Sequence, residues 1–491
     1  MTFNSWEFLL FFPTVTSLYF ALPHRWRWLL LLVASCVFYM AFIPAYILIL
    51  LFTIAVDYVA GILIERSTGT RRRAWLICSL VANIGVLAVF KYGNFACDNL
   101  ARIATLLDLH YPAKVIQIIL PIGLSFHTFQ AMSYTIEVYR GHQRAERHLG
   151  IYALYVMFYP QLVAGPIERP QNLLHQFHEP HDFDGSRVAE GLGRMLWGLF
   201  KKIVIADRLA IIVNTVYAKP EDFSGIVLLL TTYCFAVQIY TDFSAYSDIA
   251  IGAARVMGIT LMENFNRPYL STSMAEFWRR WHISLSTWFR DYLYIPLGGN
   301  RVSRPRWCVN VMIVFLLSGL WHGANWTYVI WGAIHGFYLI FGIITRTARN
   351  ALAKLLGADR HPVLRHILAM LITIQLTTFA WVFFRASNYA QAKFILARIL
   401  TGGFHALAHL PTLLQTLATL EIDPIGNKFL QMTLWILIAA GLVHLFRKPG
   451  SITRNFDAQP TWVRWSAYYA VIFGILLLGV FGSQSFLYFQ F

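Results

Sequence analysis

The sequence is short of charge. Charged residues fill 13% of the 491 positions, against 57% for hydrophobic ones, whereas soluble globular chains carry about 25% charged residues. So few charges cannot cover a soluble protein of this length. They suit a surface that mostly faces lipid, and a mean hydropathy of +0.55 agrees. Cysteine is scarce too. Cys36, Cys78, Cys97, Cys234 and Cys308 are scattered, most of them in or beside apolar runs, with no CxxC pair or Cys/His cluster, so no metal site is expected. A GxSxG elbow is missing, which argues against a serine hydrolase. A Walker A sequence and a Rossmann glycine pattern are missing as well, which argues against ATP coupling within this chain. There are no repeats, low-complexity tracts or long polar linkers. One integrated domain over residues 1–491 is therefore expected, rather than a membrane anchor carrying a soluble enzyme.

What is present is a series of apolar runs. A helix needs about 20 mainly apolar residues to cross a bilayer. Candidates are Phe8–Leu22, Trp28–Phe42, Ala45–Ile64, Ala74–Phe90, Tyr152–Val163, Ile226–Ile239, Val309–Trp321, Tyr328–Ile344, Ile367–Phe384, Phe429–Phe446 and Trp465–Phe481. The first is read as a retained span, since it lacks the basic flank and cleavage site of a signal peptide. Several runs are too short for a simple crossing, and others are broken. Ile116–Tyr134 contains Pro121 and Gly123, and Phe158–Pro166 contains Pro160 and Gly165. Broken backbone is tolerated at membrane depth only inside protein or around a cavity. The expected fold is all-α: a polytopic helix bundle with re-entrant and interfacial helices around a central chamber.

The formal net charge is +16. Its basic residues cluster between apolar runs, at His24–Arg27, Arg71–Arg73 and Arg447–Lys448. That is the positive-inside pattern of a membrane protein, and it points away from nucleic acid as a partner. It places those loops in the cytoplasm and both chain ends outside.

Three polar clusters sit where lipid chemistry disfavours them. The first is Gln238 to Asp248. On a helix Gln238, Asp242 and Tyr246 share one face, and Tyr240, Ser244 and Asp248 another. Either a structural hydrogen-bond network or direct contact with substrate would explain it. The second is Ser271–Arg290. Ser273 and Glu276 fit a capping box. The helix that follows would carry an aromatic stripe through Trp278, Trp281, Leu285, Trp288 and Tyr292. Beside it would run Arg279, His282, Ser286 and Arg290. Such a helix suits the membrane interface; its basic stripe, with Arg280, also suits the phosphates of an acyl carrier, with His282 looking into the chamber. The third is Leu316–Tyr328, where His322 ends an apolar run and precedes Gly323 and Asn325. Low dielectric favours a neutral imidazole, which can accept a proton as a general base. A satisfied core histidine is the alternative, and it is the stronger reading for His335.

Five ordered motifs carry a resemblance. They are Phe158-Tyr-Pro-Gln-Leu-Val-Ala-Gly-Pro166, Asp242-Phe-Ser-Ala-Tyr-Ser-Asp248, Glu276-Phe-Trp-Arg-Arg-Trp-His282, Arg290-Asp-Tyr-Leu-Tyr-Ile-Pro-Leu-Gly-Gly-Asn300 and Leu320-Trp-His322-Gly-Ala-Asn325. Together they resemble the membrane-bound O-acyltransferase (MBOAT) family, and within it the bacterial branch that acetylates alginate. Ala245 is a small departure, where relatives often have glycine.

The resemblance implies a many-helix bundle in the bacterial inner membrane, with His322 as the catalytic histidine and His282 facing it. A cytoplasmic thioester, acetyl-CoA, would be the donor substrate, with no bound cofactor. The acceptor would be a hydroxyl of an exopolysaccharide such as alginate, reached directly or through a periplasmic acetyltransferase subunit. Asn325, His282 and backbone amides after Gly323 are oxyanion candidates. Gln238, Asp242, Tyr246 and Asp248 are chamber candidates. Arg279, Arg280, Ser286 and Arg290 are donor-binding candidates. D-alanyl transfer of the teichoic-acid type, a transporter without chemistry and a secretion scaffold are the alternatives.

Overall fold

A computed structural model describes residues 1–109, 121–355, 357, 360–403, 459–481 and 486–487. Among them the regular structure is helical, without a strand. A helix satisfies its own backbone N–H and C=O groups, and lipid offers them no other partners. Among the described residues six helices are long and apolar enough to cross a membrane: Pro44–Arg66, Gly69–Leu106, Gly225–Val256, Trp326–Ile344, Pro362–Arg385 and Thr461–Leu478. Five of the expected spans fall inside them, and a sixth, Trp465–Phe481, overlaps the last and runs past its end at Leu478. The expected span Phe429–Phe446, the loop at Arg447 and residues 116–120 lie outside the described residues.

The chain divides into two compact units. The described parts of the first are residues 1–109 and 121–198 and Tyr246–Glu263. It holds α1 (Trp6–Ala21), α2 (His24–Met40), α3 (Ile47–Arg66), α4 (Gly69–Leu87), α5 (Gly93–Leu106), α6 (Leu124–Arg140), α7 (Leu149–Met157), α8 (Pro170–Leu173) and most of α9 (Gly185–Phe200). A π-helical turn, Ala88–Tyr92, joins α4 to α5.

The expected span Tyr152–Val163 is not one. Its helix, α7, stops after nine residues and is buried from Ile151 onward, and Phe158–Pro166 follows as irregular backbone. An apolar run of this length reads alike whether it faces lipid or protein; here it faces protein. Close packing of that irregular segment needs Gly123, whose φ is +77° and where a side chain would meet Leu162 O at 2.9 Å.

A polar cluster ties α3, α4 and α6 together. The buried Asp57 carboxylate accepts from Ser79 Oγ at 2.6 Å and from Asn83 Nδ2 at 3.0 and 2.9 Å. Ser79 Oγ also lies 3.0 Å from Thr135 Oγ1. Elsewhere in this unit buried Glu168 accepts from the Met262 N–H and from Asn172 Nδ2, each at 2.5 Å. Burial nevertheless pushes its carboxyl up to about 7.

The second unit comprises Leu199–Ala245 and Asn264–Leu487. After the π-helical turn Lys201–Ala206 it holds α10 (Asp207–Ala218), the first part of α11 (Gly225–Val256), α12 (Met274–Arg280), α13 (Ile283–Phe289) and α14 (Arg304–His322). Then come α15 (Trp326–Ile344), α16 (Arg346–Leu355), α17 (Pro362–Arg385), α18 (Tyr389–Arg398) and α19 (Thr461–Leu478). The α14–α15 pair is packed backbone to backbone. A side chain at Gly319 would sit 2.2 Å from Tyr328 O, and one at Gly332 2.2 Å from Phe315 O. Small residues at such a seam are how membrane helices approach closely.

The single helix expected beyond Ser273 is broken. Half of the expected capping box forms: Ser273 Oγ accepts from the Glu276 N–H, but the Glu276 carboxylate reaches the preceding residue instead of the Ser273 N–H. The Glu276 carboxylate accepts from the Thr272 N–H and hydroxyl, both at 2.8 Å. Then α12 stops at Arg280, and α13 begins only at Ile283. Residues 264–266 take over the backbone between them. Asn266 N–H donates to Arg280 O, Ile283 N–H to Asn264 O, and the Ser284 hydroxyl to Asn264 Oδ1. The aromatic stripe does not lie at a lipid interface either. Trp281, Leu285 and Trp288 are buried in protein.

Candidate active site

His322 is the last residue of α14 and is only 3% exposed. Three rings meet its imidazole edge to face. Trp321 comes from α14 at 5.0 Å between centroids, Trp331 from α15 at 5.0 Å, and Phe384 from α17 at 5.2 Å. Three helices thus fix one imidazole. Gly323 ends the helix, and a side chain there would lie 2.2 Å from the Tyr328 ring, which itself packs on Phe384.

His282 is fully buried and occupies the break between α12 and α13. Its backbone is left-handed, with φ +43° and ψ +57°. A non-glycine residue pays about 1–3 kcal/mol for such a conformation, and strained residues of this kind cluster at functional sites. The Asn264 bonds described above hold the break open. Phe243 meets the His282 ring at 4.6 Å and Trp321 meets it at 5.9 Å. Trp321 therefore touches both histidines. Burial pushes the His282 imidazole down to about 3, so it is neutral at physiological pH.

Asn325 caps α15: its Oδ1 accepts from Thr327 N–H at 3.0 Å, and its Nδ2 donates to Ser387 O at 3.0 Å. Both ends of the amide are engaged in shaping the turn after His322. Asp242 is buried, bonded to Lys202 Nζ at 2.8 Å and to the Leu487 N–H at 2.7 Å. Lys202 also pairs with Asp207 at 2.7 Å, so the acid belongs to a buried ion triad. Gln238 is buried in the same unit. Tyr246 and Asp248 belong to the first unit. There Tyr246 packs on Phe3, and Asp248 pairs with Arg194.

The basic stripe is split by the helix break. Arg279 and Arg290 are exposed. Arg280 pairs with Glu276 at 2.6 Å and Arg290 with Asp291 at 2.7 Å. Ser286 Oγ donates to Trp281 O at 3.1 Å. His335 is buried among Trp331, Trp278 and Phe277. Sequence reasoning missed the aromatic wall of Trp321, Trp331 and Phe384, since each lies in an apolar run where tryptophan and phenylalanine are ordinary. It also missed Lys202, whose available signal is the Lys201-Lys202 pair flanked by apolar residues in 199–206.

Comparison with known proteins identifies the family. A family model described as the membrane-bound O-acyltransferase family matches residues 140–355, which include both histidines. The chain is 44% identical over 397 residues to "Probable alginate O-acetylase AlgI" of Pseudomonas aeruginosa, covering 80% of this chain and 73% of that one. It is 36% identical over 415 residues to the peptidoglycan O-acetyltransferase of Helicobacter pylori, covering 79% and 76%. A teichoic acid D-alanyltransferase of Streptococcus thermophilus is 29% identical over 256 residues, covering 49% and 60%.

Proposed function

Because the chain belongs to the membrane-bound O-acyltransferase family, and is thus a multi-pass membrane acyltransferase, we propose that it acetylates an exopolysaccharide such as alginate, with His322 as general base. Relatives named for alginate and for peptidoglycan O-acetylation match most of the chain. Both acceptors are polysaccharides, so the reaction is O-acyl transfer to a polysaccharide hydroxyl. The whole chain acts as one membrane domain in the bacterial inner membrane.

The reaction begins with acetyl-CoA entering from the cytoplasmic side. Arg279, Arg280 and Arg290, with Ser286, recognise its phosphates, and Arg280 and Arg290 exchange their carboxylate partners for them. The acceptor is a polysaccharide hydroxyl on the far side, or a serine of a periplasmic partner that passes the acetyl on. As the hydroxyl oxygen attacks the thioester carbonyl, His322 takes its proton. The tetrahedral intermediate collapses, the C–S bond breaks, and the imidazolium returns the proton to the leaving thiolate. A general base of this kind contributes about 10²–10⁴-fold. Neutral His282, in contact with the same Trp321 ring, holds the reacting group, and Asn325 keeps the turn after His322 in shape. Gln238 and Asp242 line the chamber on α11.

One observation carries this reading: two buried histidines, one on a strained backbone and one at a helix end, meet the same Trp321 ring. The test is transfer of labelled acetyl from acetyl-CoA to alginate oligosaccharides by protein purified into liposomes. Loss of transfer in His322→Ala is expected. Undiminished transfer would remove His322 as the base, and no transfer by the wild-type protein would favour a carrier without chemistry. Transfer of D-alanine in place of acetyl would favour the teichoic-acid type instead.

A further inference from the structure

Along α15, Thr327, Trp331 and His335 recur every four residues and so share one face. All three are fully buried. Each also carries a polar atom without a hydrogen-bond partner among the described residues: Thr327 Oγ1, Trp331 Nε1 and both ring nitrogens of His335. Buried polar groups are nearly always bonded, and leaving one unbonded costs about 1–3 kcal/mol. Three in a row on a membrane helix need a reason. Those at the first two turns lie beside the candidate base. Thr327 follows the turn that His322 opens, and the Trp331 ring meets the His322 ring edge to face.

Trp331 is also the best held of the three. Its ring stacks on Trp381 at 5.7 Å and meets Phe384, Trp278 and His335 at 4.8–5.8 Å. The indole can neither rotate away nor reach water. A fixed N–H donor in a dry site is what stabilises the negative charge that develops on oxygen during acyl transfer.

We propose that the Trp331 indole N–H is a catalytic hydrogen-bond donor to the carbonyl oxygen of the transferring acyl group. The inference rests on the acyl-transfer reading above. As the acceptor oxygen forms its bond to the carbonyl carbon, the C=O electron pair moves onto oxygen, and Trp331 Nε1–H stabilises that oxyanion. When the C–S bond breaks the pair returns to form C=O, and the proton held by His322 goes to the thiolate. Trp331 itself gains and loses nothing.

The experiment compares wild type, His322→Ala and Trp331→Phe in liposomes, with acetyl-CoA as donor and alginate oligosaccharides as acceptor. Phenylalanine keeps an aromatic ring and removes the donor. The expected result is a fall in kcat of about 10²–10³-fold, the size seen when one oxyanion donor is lost, with KM for acetyl-CoA unchanged. If Trp331→Phe melts well below wild type, benzothienylalanine at the same position repeats the test. It has the shape of tryptophan with sulfur in place of the N–H. An inactive His322→Ala beside a Trp331 variant at the wild-type kcat would overturn the inference and leave the proposed function standing. In that case the N–H is parked on a neighbouring ring face. Transfer undiminished in His322→Ala would overturn the reading on which it rests.

Discussion

Two buried polar regions of this protein look alike in sequence and differ in bonding. In the first unit Asp57, Ser79, Asn83 and Thr135 are buried between α3, α4 and α6 and bonded to one another, with Asn83 Oδ1 the one side-chain atom of the cluster that has no partner among the described residues. On α15 of the second unit Thr327, Trp331 and His335 are equally buried, yet each keeps a polar atom without one among the described residues. Polar groups bonded to each other hold helices together. Polar groups held rigidly without partners are ready for something that arrives. Changes in the first region should therefore act on stability, and changes around the second on rate.

The largest effect is expected at the base. His322→Ala should lower acetyl transfer by about 10²–10⁴-fold, with a melting temperature in detergent near that of wild type. A large drop in melting temperature would make His322 a buttress and erase the distinction. Next comes Lys202→Ala. It leaves Asp242 and Asp207 buried without their shared cation, and breaking such a pair costs about 3–5 kcal/mol. Thermal melting should show the loss even though the triad lies in the catalytic unit. Asp57→Ala strands the donors of Ser79 and Asn83, at about 1–3 kcal/mol for each stranded group. Residual folded protein should transfer acetyl at the wild-type kcat.

A subtler effect concerns Glu168. Its carboxyl titrates at about 7 in the folded protein, above the ordinary 4.5. The folded state therefore binds the proton more tightly than the unfolded state. That contribution to stability is complete below about 4.5 and is lost as pH rises through 7. Melts at pH 5 and pH 8 should show the decline, and Glu168→Gln should flatten it. The smallest effect is expected at the α12 cap, where Ser273→Ala should cost about 1 kcal/mol.

The spans were legible because hydropathy over 20 residues needs no knowledge of neighbours. The place of His322 was legible for a related reason: Gly323 and Asn325 end a helix by local chemistry. The break at His282 was not. The groups that compete for its backbone come from Asn264 and Asn266, far outside any helical period. Without them Ser271–Arg290 reads as one continuous helix with two neat stripes. Tyr152–Val163 failed as a span because apolar residues look the same against lipid and against protein. The partners of Asp242 were hidden likewise, since Lys202 lies 40 residues away.

The glycine seam between α14 and α15 has a mechanical side. With their backbones in contact at Gly319 and Gly332, the two helices cannot slide past each other by repacking side chains. A tilt of one is therefore expected to carry the other, and with it His322 at the end of α14. Helices tilt to match the thickness of the bilayer around them. Lipid chain length should therefore reposition the histidine bodily, and turnover in thin and thick vesicles would reveal how finely that position is set.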